Sequence, residues 1–434
     1  MKKFLVSLAV MLISISAALA ANPRRIVVID PGHPHAAGVQ IERLEGVSDT
    51  VLVFAPEGPE LQEYLRVIDY YNGRKQSPTS WVEKVYTGKD YLKKVPKAGE
   101  GDFVVLAGKN SQKPDYILQS IRKGYNVFSD KPMAVDGKGY RKLEKAYRMA
   151  EKKGLILFDE MTERYNSYNI LCREIMSMND IVGEVASYYI YDVHHYYKKS
   201  AGSVALRPSW YFDVREQGEG IADVSTHFID LAMWQCSPDV PVSKERVSAI
   251  AGSHYPTVIS RDQFATVSGE TDFPEFLSPY IRDGKLEVNA NGTLQFAIDA
   301  IPVKIDIEWR YGDDSTRDIF RQEIKCASAV ILQTQDETTS NIRKMTVRMS
   351  NAAAEAVSAR LSAKYPWVSL SRVSEGLYEV VTDAVSRPRA VSGATATADK
   401  FLSFLNGEPM PAWESVNTLT KYYITTSAVE SLRR

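Results

Sequence analysis

The sequence has few cysteines, no charge imbalance and, beyond its first twenty residues, no long apolar run. Three cysteines among 434 residues are too few and too scattered for a disulfide framework or a zinc cluster, and we expect no bridge between them. A formal net charge of −1 argues against a nucleic-acid partner or a polybasic membrane contact. Since no later stretch approaches roughly 18 apolar residues, we expect no transmembrane helix.

The first twenty residues have the pattern of a secretory signal peptide. Two lysines precede an apolar run from Phe4 to about Ala17, and Ala18 to Ala20 offer a cleavage site of small residues. An N-terminal core helix is the alternative interpretation. Because no cysteine follows the run, we expect no lipid anchor. The pattern therefore predicts a signal peptide over residues 1–20 and a periplasmic or secreted protein.

Residues 21–160 alternate short apolar runs with helical patterns. Segments such as IVVID, DFVVLAGKN and YNVFSDKPMAV lack a polar face, and KPDYILQSIRKG and GYRKLEKAYRMAEKKG have helical spacing. This alternation predicts an α/β domain of the Rossmann type, with a parallel sheet between helices. Its ligand crevice is expected at the carboxyl ends of the strands, so the residues that follow each strand are candidates for a site.

Residues 161–434 have a different pattern. Long alternating segments rich in aromatic and β-branched residues, such as EVASYYIYDVHHYYK and GTLQFAIDAIPVKIDIEWRYG, predict a large, mostly antiparallel sheet. One clear helix interrupts them at GIADVSTHFIDLAMW, and two helical stretches and a short strand are expected in the final hundred residues. The chain is thus predicted to join a parallel α/β domain to an α+β domain.

The first strand leads into the turn DPGHPH, where a dinucleotide site would have Gly-x-Gly-x-x-Gly. Alignment places Asp30 at the first glycine, Gly32 at the second and His35 at the third. Gly32 is the position that lets a pyrophosphate approach the backbone, and His33 and His35 could donate hydrogen bonds to it. Asp30 instead adds a negative charge. Taken alone, the turn fits an ordinary structural turn as well as a cofactor site.

Two further strand ends carry candidate residues. Glu57 lies roughly 20 residues beyond the glycine turn, where an acid accepts a hydrogen bond from the cofactor's ribose, although Pro56 and Gly58 also suit a plain turn. No arginine or lysine in that turn favours a 2′-phosphate, so NAD is preferred over NADP. Lys131 lies just past another strand, and Pro132 fixes the chain direction. A lysine there can stabilise negative charge that develops on the oxygen of a reacting alcohol or carbonyl. The alternative is a solvated lysine in a surface turn.

The predicted helix GIADVSTHFIDLAMW places Asp223, His227 and Asp230 at a spacing of four and three residues, on one face. An acid and a histidine one turn apart suit proton transfer, with His227 as base and Asp223 orienting it. The alternatives are a satisfied structural histidine or two metal ligands. A core stripe is predicted on another face, at Ile221, Val224, Phe228 and Leu231.

Together these features resemble the Gfo/Idh/MocA oxidoreductase family. DKP is similar to the family's Glu-Lys-Pro motif, with Asp130 in place of glutamate, and GEGIADVSTH is similar to its glycine-rich segment followed by Asp-x-x-x-His. VVLAGKN resembles its Thr-Pro-Asn turn and retains Asn110. The variant opening DPGHPHA resembles an exported branch found in Bacteroidetes. The resemblance covers nearly the whole mature chain and implies an open-faced second sheet.

The resemblance implies a nicotinamide-dependent oxidoreductase of a sugar or cyclitol carbon, with NAD or NADP held near the strand ends. His227 would take the hydroxyl proton, Lys131 would hydrogen-bond the substrate oxygen, and Asp223 would position either one. It also implies a homodimer or homotetramer packed through the large sheet. We expect no metal ion. Four residues are expected to shape the sugar pocket: Tyr196, Arg207, Trp210 and Tyr211.

Two classes of function compete at this stage. The first is an exported sugar oxidoreductase with a tightly held cofactor, whose transient oxidation could also assist cleavage of a glycosidic bond. The second is a non-catalytic periplasmic carbohydrate-binding protein that kept the fold and lost the cofactor. The three residues Lys131, Asp223 and His227 favour the enzyme, whereas the rewritten glycine turn favours the binding protein.

Overall fold

The structure is a computed structural model that describes residues 23–200, 203–383 and 391–433. The predicted signal peptide lies outside the described residues. Within the part of the chain that the structure describes, no helix has both the length and the apolarity needed to cross a membrane. The three cysteines are all unpaired.

The N-terminal sheet has six parallel strands in the order β3-β2-β1-β4-β5-β6. The predicted α/β fold is therefore confirmed, and the central strands β1, β4 and β5 are completely buried, as their apolar runs indicate. The sequence analysis missed β3, an exposed edge strand. The strands are β1 (Ile26–Ile29), β2 (Thr50–Phe54), β3 (Val82–Tyr86), β4 (Phe103–Leu106), β5 (Asn126–Ser129) and β6 (Leu157–Asp159).

The connection after β1 differs from an ordinary dinucleotide-binding unit. A 3₁₀ helix, Pro34–Gln40, takes the place of the α-helix whose N-terminus would face a phosphate. Three helices that pack with the parallel sheet follow later in this half of the chain: α1 (Pro59–Gly73), α2 (Lys113–Lys123) and α3 (Gly137–Lys153).

The C-terminal end of the chain returns to this first sheet. Phe401, on the penultimate helix, has its ring centroid 5.4 Å from that of Phe103, 5.3 Å from Phe128 and 6.1 Å from Phe158. It thereby supplies the apolar layer on the side where the 3₁₀ helix is too short to cover the strands. The helices that close the chain are α10 (Gly393–Leu405) and α11 (Ala412–Leu432).

The second sheet is large and mostly antiparallel, with one parallel pair, β7 and β13. Its main path is β10-β12-β13-β7-β14-β15-β16-β18-β17, and β11 pairs with β12. The strands are β7 (Val185–His195), β10 (Val247–Ile259), β11 (Ile281–Arg282), β12 (Lys285–Ile298), β13 (Ile301–Arg310), β14 (Ile319–Cys326), β15 (Val330–Gln335), β16 (Lys344–Arg348), β17 (Val368–Ser374) and β18 (Leu377–Thr382), with a separate hairpin of β8 (Lys199–Ser200) and β9 (Ser203–Val204).

Helices cover one face of the second sheet. The helix predicted at GIADVSTHFIDLAMW is two helices separated at Val224, and its core stripe is buried as predicted, with the four side chains no more than 4 % exposed. The described part of the last hundred residues has three helices, one more than predicted. The remaining helices are α4 (Ser167–Met176), α5 (Asn179–Val182), α6 (Gly220–Asp223), α7 (Ser225–Cys236), α8 (Arg261–Ser268) and α9 (Asn351–Lys364).

Candidate active site

A lysine from the first half of the chain and an aspartate from the second half meet at the carboxyl edge of the parallel sheet. Lys131 follows β5, its peptide bond to Pro132 is cis, and its Nζ lies 2.6 Å from Oδ1 of Asp223 at the end of α6. The other oxygen of Asp223 accepts a hydrogen bond from Gln217 Nε2 at 2.8 Å. The ion pair therefore joins the two domains at the predicted crevice.

Both members of this pair are charged in spite of their burial. Desolvation would lower the pKa of Lys131, but Asp223 and Asp130 raise it above its ordinary value. Desolvation would likewise raise the pKa of Asp223, but Lys131 and Gln217 hold it below its ordinary value. A lysine kept charged in a poorly hydrated cleft can stabilise negative charge on a nearby oxygen.

His227 lies on α7, and its Nδ1 is buried without a hydrogen-bond partner among the described residues. Burial and then the charge of Lys131 lower its pKa to about 3, while Asp223 opposes the shift. The imidazole is therefore neutral at ordinary pH. Asp223 uses its oxygens on Lys131 and Gln217, so the expected orientation of His227 by a direct hydrogen bond is not found.

Asp230 does not face the cleft with Asp223 and His227. Its carboxylate binds Arg164 and Lys421 in a buried cluster of charges. Arg164 also contacts Glu414 of α11, and Lys421 also contacts Asp159 at the end of β6. These ion pairs connect α7, α11 and the first sheet, which is a structural role.

The glycine turn after β1 differs from the expected phosphate cradle. The amides of Gly32 and His33 both donate to the carbonyl of Ala107, at 2.9 and 3.0 Å, so neither points at a ligand. A methyl group on Gly32 would lie 3.2 Å from the ring of Trp210. The close approach predicted for a pyrophosphate is thus made by Trp210, a predicted sugar-pocket residue, whose Nε1 donates to Glu60 at 3.1 Å.

The other residues predicted at the cofactor site occupy separate places along the strand ends. Asp30 has a φ of 51°, which aspartate tolerates better than most residues, and its carboxylate accepts from Tyr116. Burial raises its pKa. Glu57 is exposed and accepts from Thr87 Oγ1 at 3.1 Å, so it can reach a ribose. Asn110 is buried and donates to the carbonyl of Gln217, which links the two halves of the chain.

His33 and His35 face the carboxylate of Asp130 instead of the open crevice. Their Nδ1 atoms lie 3.4 and 3.0 Å from its two oxygens. Burial would raise the pKa of Asp130, but Lys113 and the two histidines hold it well below its usual range. Burial would lower the pKa of His35, but Asp130 and Glu160 raise it to about 9. The histidines of the turn therefore belong to a charged cluster behind Lys131.

Three of the predicted sugar-pocket residues lie together, but Tyr196 is a core residue, 2 % exposed and stacked on Phe212. Arg207 stacks on Tyr211, 4.7 Å from its ring centroid, and Tyr211 packs edge-on against Tyr196 at 6.5 Å. Desolvation raises the pKa of Tyr211 to about 12, and Asp223 and Lys131 are among the charges that act on it. Arg207 Nε is buried without a partner in the described part of the chain. Trp210 packs against the glycine turn, with its ring centroid 6.4 Å from that of Tyr211.

Three polar residues of this region were not predicted from the sequence. Lys113, at the start of α2, is fully buried and donates to the carbonyls of Asp130 and Lys131, at 2.8 and 3.2 Å. Glu160 follows β6 and is 1 % exposed. Gln217 fixes Asp223. Lys113 and Gln217 lie in segments that look like polar surface, but Glu160 follows a buried strand, which is the signal that could have identified it.

Comparison with known proteins places the chain in a family. Residues 51–160 match "Oxidoreductase family, NAD-binding Rossmann fold", the Gfo/Idh/MocA family, and residues 173–433 match "Putative oxidoreductase C terminal domain". A structure described as a "putative oxidoreductase" from Parabacteroides merdae is 32% identical, with a TM-score of 0.90 over 95% of this chain and 98% of that chain. No curated protein matches the chain.

More distant structures share the fold alone. A "putative oxidoreductase" from Thermotoga maritima is 15% identical, with a TM-score of 0.60 over 94% of this chain and 97% of that chain. KijD10, a 3-ketoreductase from Actinomadura kijaniata in complex with NADP and TDP-benzene, is 11% identical, with a TM-score of 0.56 over 94% and 98%. The fold is thus that of two-domain NAD(P)-dependent oxidoreductases. The chain belongs to the Gfo/Idh/MocA oxidoreductase family, as its motifs predict.

The residues present fit a nicotinamide dinucleotide at both ends of the crevice. The exposed Glu57, which accepts from Thr87, can also accept from a ribose hydroxyl, and at the other end the charge of Lys131 acts on His227. The middle of the crevice, where the pyrophosphate would lie, differs from a standard dinucleotide site. Trp210 packs on Gly32 there, and the amides of the turn donate to the carbonyl of Ala107. The match of residues 51–160 also begins after this turn. The pyrophosphate must therefore be held differently from that of a Gly-x-Gly-x-x-Gly protein.

Proposed function

We propose that the protein is an exported NAD(P)-dependent oxidoreductase that acts on a hydroxyl group of a sugar or glycoside. The observation that carries the proposal is the convergence of Lys131, Asp223 and His227, from two domains, on one crevice. A lysine kept charged and a histidine kept neutral are the two groups that removal of a hydroxyl proton requires.

The roles follow from the charges. His227 accepts the proton of the substrate hydroxyl, since its imidazole is neutral and Nδ1 is unpartnered in the described residues. Lys131 donates to the same oxygen as negative charge develops there. Asp223 positions Lys131 through the 2.6 Å contact, and its charge offsets part of the cost of protonating the buried histidine.

The cofactor would lie along the strand ends, with Glu57 at the ribose and with Asn110, Lys131 and Pro132 lining the inner end. Bound there, the nicotinamide supplies hydride acceptance, while the protein supplies alignment and charge. An acid at position 57 favours NAD over NADP, because a 2′-phosphate beside it would be repelled.

A sugar substrate is supported by Tyr211, whose hydroxyl feels the charges of Asp223 and Lys131, and by Arg207, which stacks on its ring. Aromatic rings pack on the apolar faces of sugar rings, and the unpartnered Nε of Arg207 can donate to a hydroxyl. Oxidation of a ring carbon would also acidify its neighbours, which would let the same residues assist cleavage of a glycosidic bond.

Export and self-association complete the proposal. Export rests on the signal-peptide pattern of residues 1–20. Association rests on the exposed side of the second sheet, where a shallow cavity of about 580 Å³ is lined by Tyr189, Tyr191, Tyr255 and charged residues. Light scattering of the purified protein and the N-terminal sequence of exported material test these two points separately.

The catalytic roles are tested with His227→Asn and Lys131→Ala. Each is expected to lower kcat about 10²- to 10⁴-fold, the range for loss of an acid–base group or an electrostatic stabiliser. Lys142→Ala is the matched control. Lys142 on α3 forms an ion pair with Asp115 on α2, outside the crevice. Full turnover by both crevice variants would refute the roles.

A non-catalytic carbohydrate-binding protein is the second candidate, favoured by the packing of Trp210 on Gly32. Denaturing the purified protein and analysing the supernatant by mass spectrometry distinguishes the two. Released NAD(H) or NADP(H) supports the enzyme. A protein that releases none and binds neither added dinucleotide, but binds sugars, would establish the binding protein instead.

A further inference from the structure

We propose that four side chains at the carboxyl edge of the first sheet bind a first-row divalent transition-metal ion, with zinc as the reference ion: His33, His35, Asp130 and Glu160. The proposal goes beyond the oxidoreductase activity and does not depend on it. The sequence alone predicted no metal, because the two histidines fit the role of hydrogen-bond donors to a phosphate and Glu160 belongs to no motif.

Three donor contacts have separations near those of a metal's coordination shell, and Glu160 joins the group through His35. His35 Nδ1 lies 3.0 Å from Asp130 Oδ1 and 3.5 Å from Glu160 Oε2, and His33 Nδ1 lies 3.4 Å from Asp130 Oδ2. Four donors bound tetrahedrally at about 2.0–2.1 Å from zinc would be about 3.3 Å apart. One donor atom each from His33, His35 and Asp130 all fall within 4.8 Å of one another.

Glu160 gives the independent indication of a ligand. Its side chain is 1 % exposed, and Oε2 makes no hydrogen bond within the described residues 23–200, 203–383 and 391–433. Its nearest partner is His35 Nδ1 at 3.5 Å. A carboxylate oxygen buried without a hydrogen bond is costly, and a metal ion would remove that cost.

His33 presents a lone pair and not a proton to the cluster. Its Nδ1 accepts a long hydrogen bond of 3.4 Å from the amide of His35, and a metal bound there would replace this contact. The amide of His33 is anchored to Ala107, and the following 3₁₀ helix begins at Pro34, so the imidazoles of the turn are held toward Asp130.

The charges around the cluster can accommodate a divalent ion. Asp130 and Glu160 as carboxylates would neutralise the ion. The nearby cation Lys131 is paired with Asp223, and Lys113 donates to the carbonyls of Asp130 and Lys131. Lys113 Nζ lies 3.5 Å from Asp130 Oδ2 and would compete with the metal ion for that oxygen only.

The ligand set identifies the class of ion. Two imidazole nitrogens and two carboxylate oxygens suit Zn²⁺, Fe²⁺, Co²⁺ or Mn²⁺, whereas Ca²⁺ and Mg²⁺ require shells of oxygen. Such an ion would fix the turn after β1 against Asp130, and it would place positive charge where the turn lacks a helix N-terminus and free amides.

The test measures metal binding on the full mature chain, with no activity assay. Metal content of the purified protein is determined by mass spectrometry, and chelator-treated protein is titrated with ZnCl₂ by calorimetry and with CoCl₂ by visible absorption. We expect about one ion per chain. His35→Gln and Glu160→Gln are each expected to weaken zinc binding about tenfold or more.

His254→Gln is the matched control, because His254 also contacts a buried glutamate, Glu219, at 2.6 Å but lies outside the cluster. It is expected to bind zinc like the wild type. Circular dichroism verifies that each variant folds. If His35→Gln does not fold, the zinc affinity of Glu160→Gln, which keeps the side-chain volume, decides the test. A wild-type protein that takes up no ion, or zinc affinity unchanged in either folded variant, would overturn the site.

Discussion

At the scale of single residues, the crevice shows how burial and charge set protonation states. Lys131 and Asp223 are each desolvated, yet each keeps its charge because the other lies 2.6 Å away. His227 has no carboxylate bound to its ring, so desolvation and the charge of Lys131 both lower its pKa. One crevice thereby contains a charged acid–base pair and a neutral imidazole.

The pH dependence of oxidation follows from this arrangement. The pKa of His227 is lowered to about 3, so the imidazole is neutral above that value, and kcat/KM for oxidation should not fall between pH 8 and about pH 5 through its protonation. The charges that act on it are Lys131, Asp223, Asp130 and His35. A pH–rate profile, with circular dichroism over the same range as control, tests this. A fall in rate near pH 6.5, the ordinary histidine value, would contradict it.

Gly32 offers a second test at this scale, because its lack of a side chain serves Trp210 in this structure. We expect Gly32→Ala to lower the free energy of unfolding by about 1–3 kcal/mol, through overpacking against the indole. Gly73→Ala is the control, since a methyl group there meets nothing within 4 Å. Urea denaturation measures both. Unchanged stability of Gly32→Ala with loss of dinucleotide binding would instead assign the glycine to the cofactor.

At the scale of elements, α11 connects both domains through its buried charges. Lys421 is completely buried and contacts Asp159 at 2.9 Å and Asp230 at 3.2 Å, so one side chain joins β6 and α7. Arg164 and Glu414 extend the cluster. A buried charge depends on every partner, because removal of one leaves the others desolvated and unpaired.

We therefore expect Lys421→Met to destabilise the protein by about 3–5 kcal/mol. The matched control is Lys400→Met on α10, whose ion pair with Glu408 is exposed and should contribute less than about 1 kcal/mol. Chemical denaturation of the two variants gives the comparison. Equal effects would show that the buried cluster does not hold the elements together.

Some elements could be predicted from the sequence and others could not, for physical reasons. The stripe from Ile221 to Leu231 was predictable because burial of a helix face imposes its spacing on the sequence. Strand β3, VEKVY, was missed because it is an exposed edge and has no apolar run. The strand-end rule predicted Lys131 at the crevice, and the family resemblance implied Asp223 beside it. The burial of Lys113 and the packing of Trp210 on Gly32 depend on tertiary contacts that leave no local pattern.

At the scale of the whole molecule, helices from the end of the chain pack on the sheet formed by its beginning. The helices that complete the first sheet come from the end of the sequence: Phe401 and Phe404 of α10 join one side of its core, and Tyr422 of α11 joins the other. Ile424 and Val429 of the same helix α11 belong to the core of the second domain. The two domains therefore share their last layer.

This sharing predicts that residues 21–160 alone will not unfold cooperatively. Without Phe401, Phe404 and Tyr422, both faces of the sheet expose apolar surface, and loss of one buried phenylalanine alone costs about 3–5 kcal/mol. Thermal unfolding followed by circular dichroism compares this fragment with one in which a flexible linker adds residues 391–433. The second fragment should regain a sigmoidal transition, because α10 and α11 restore the layer. A sharp transition in the short fragment, near that of the full chain, would show that the first domain folds independently of the C-terminal helices.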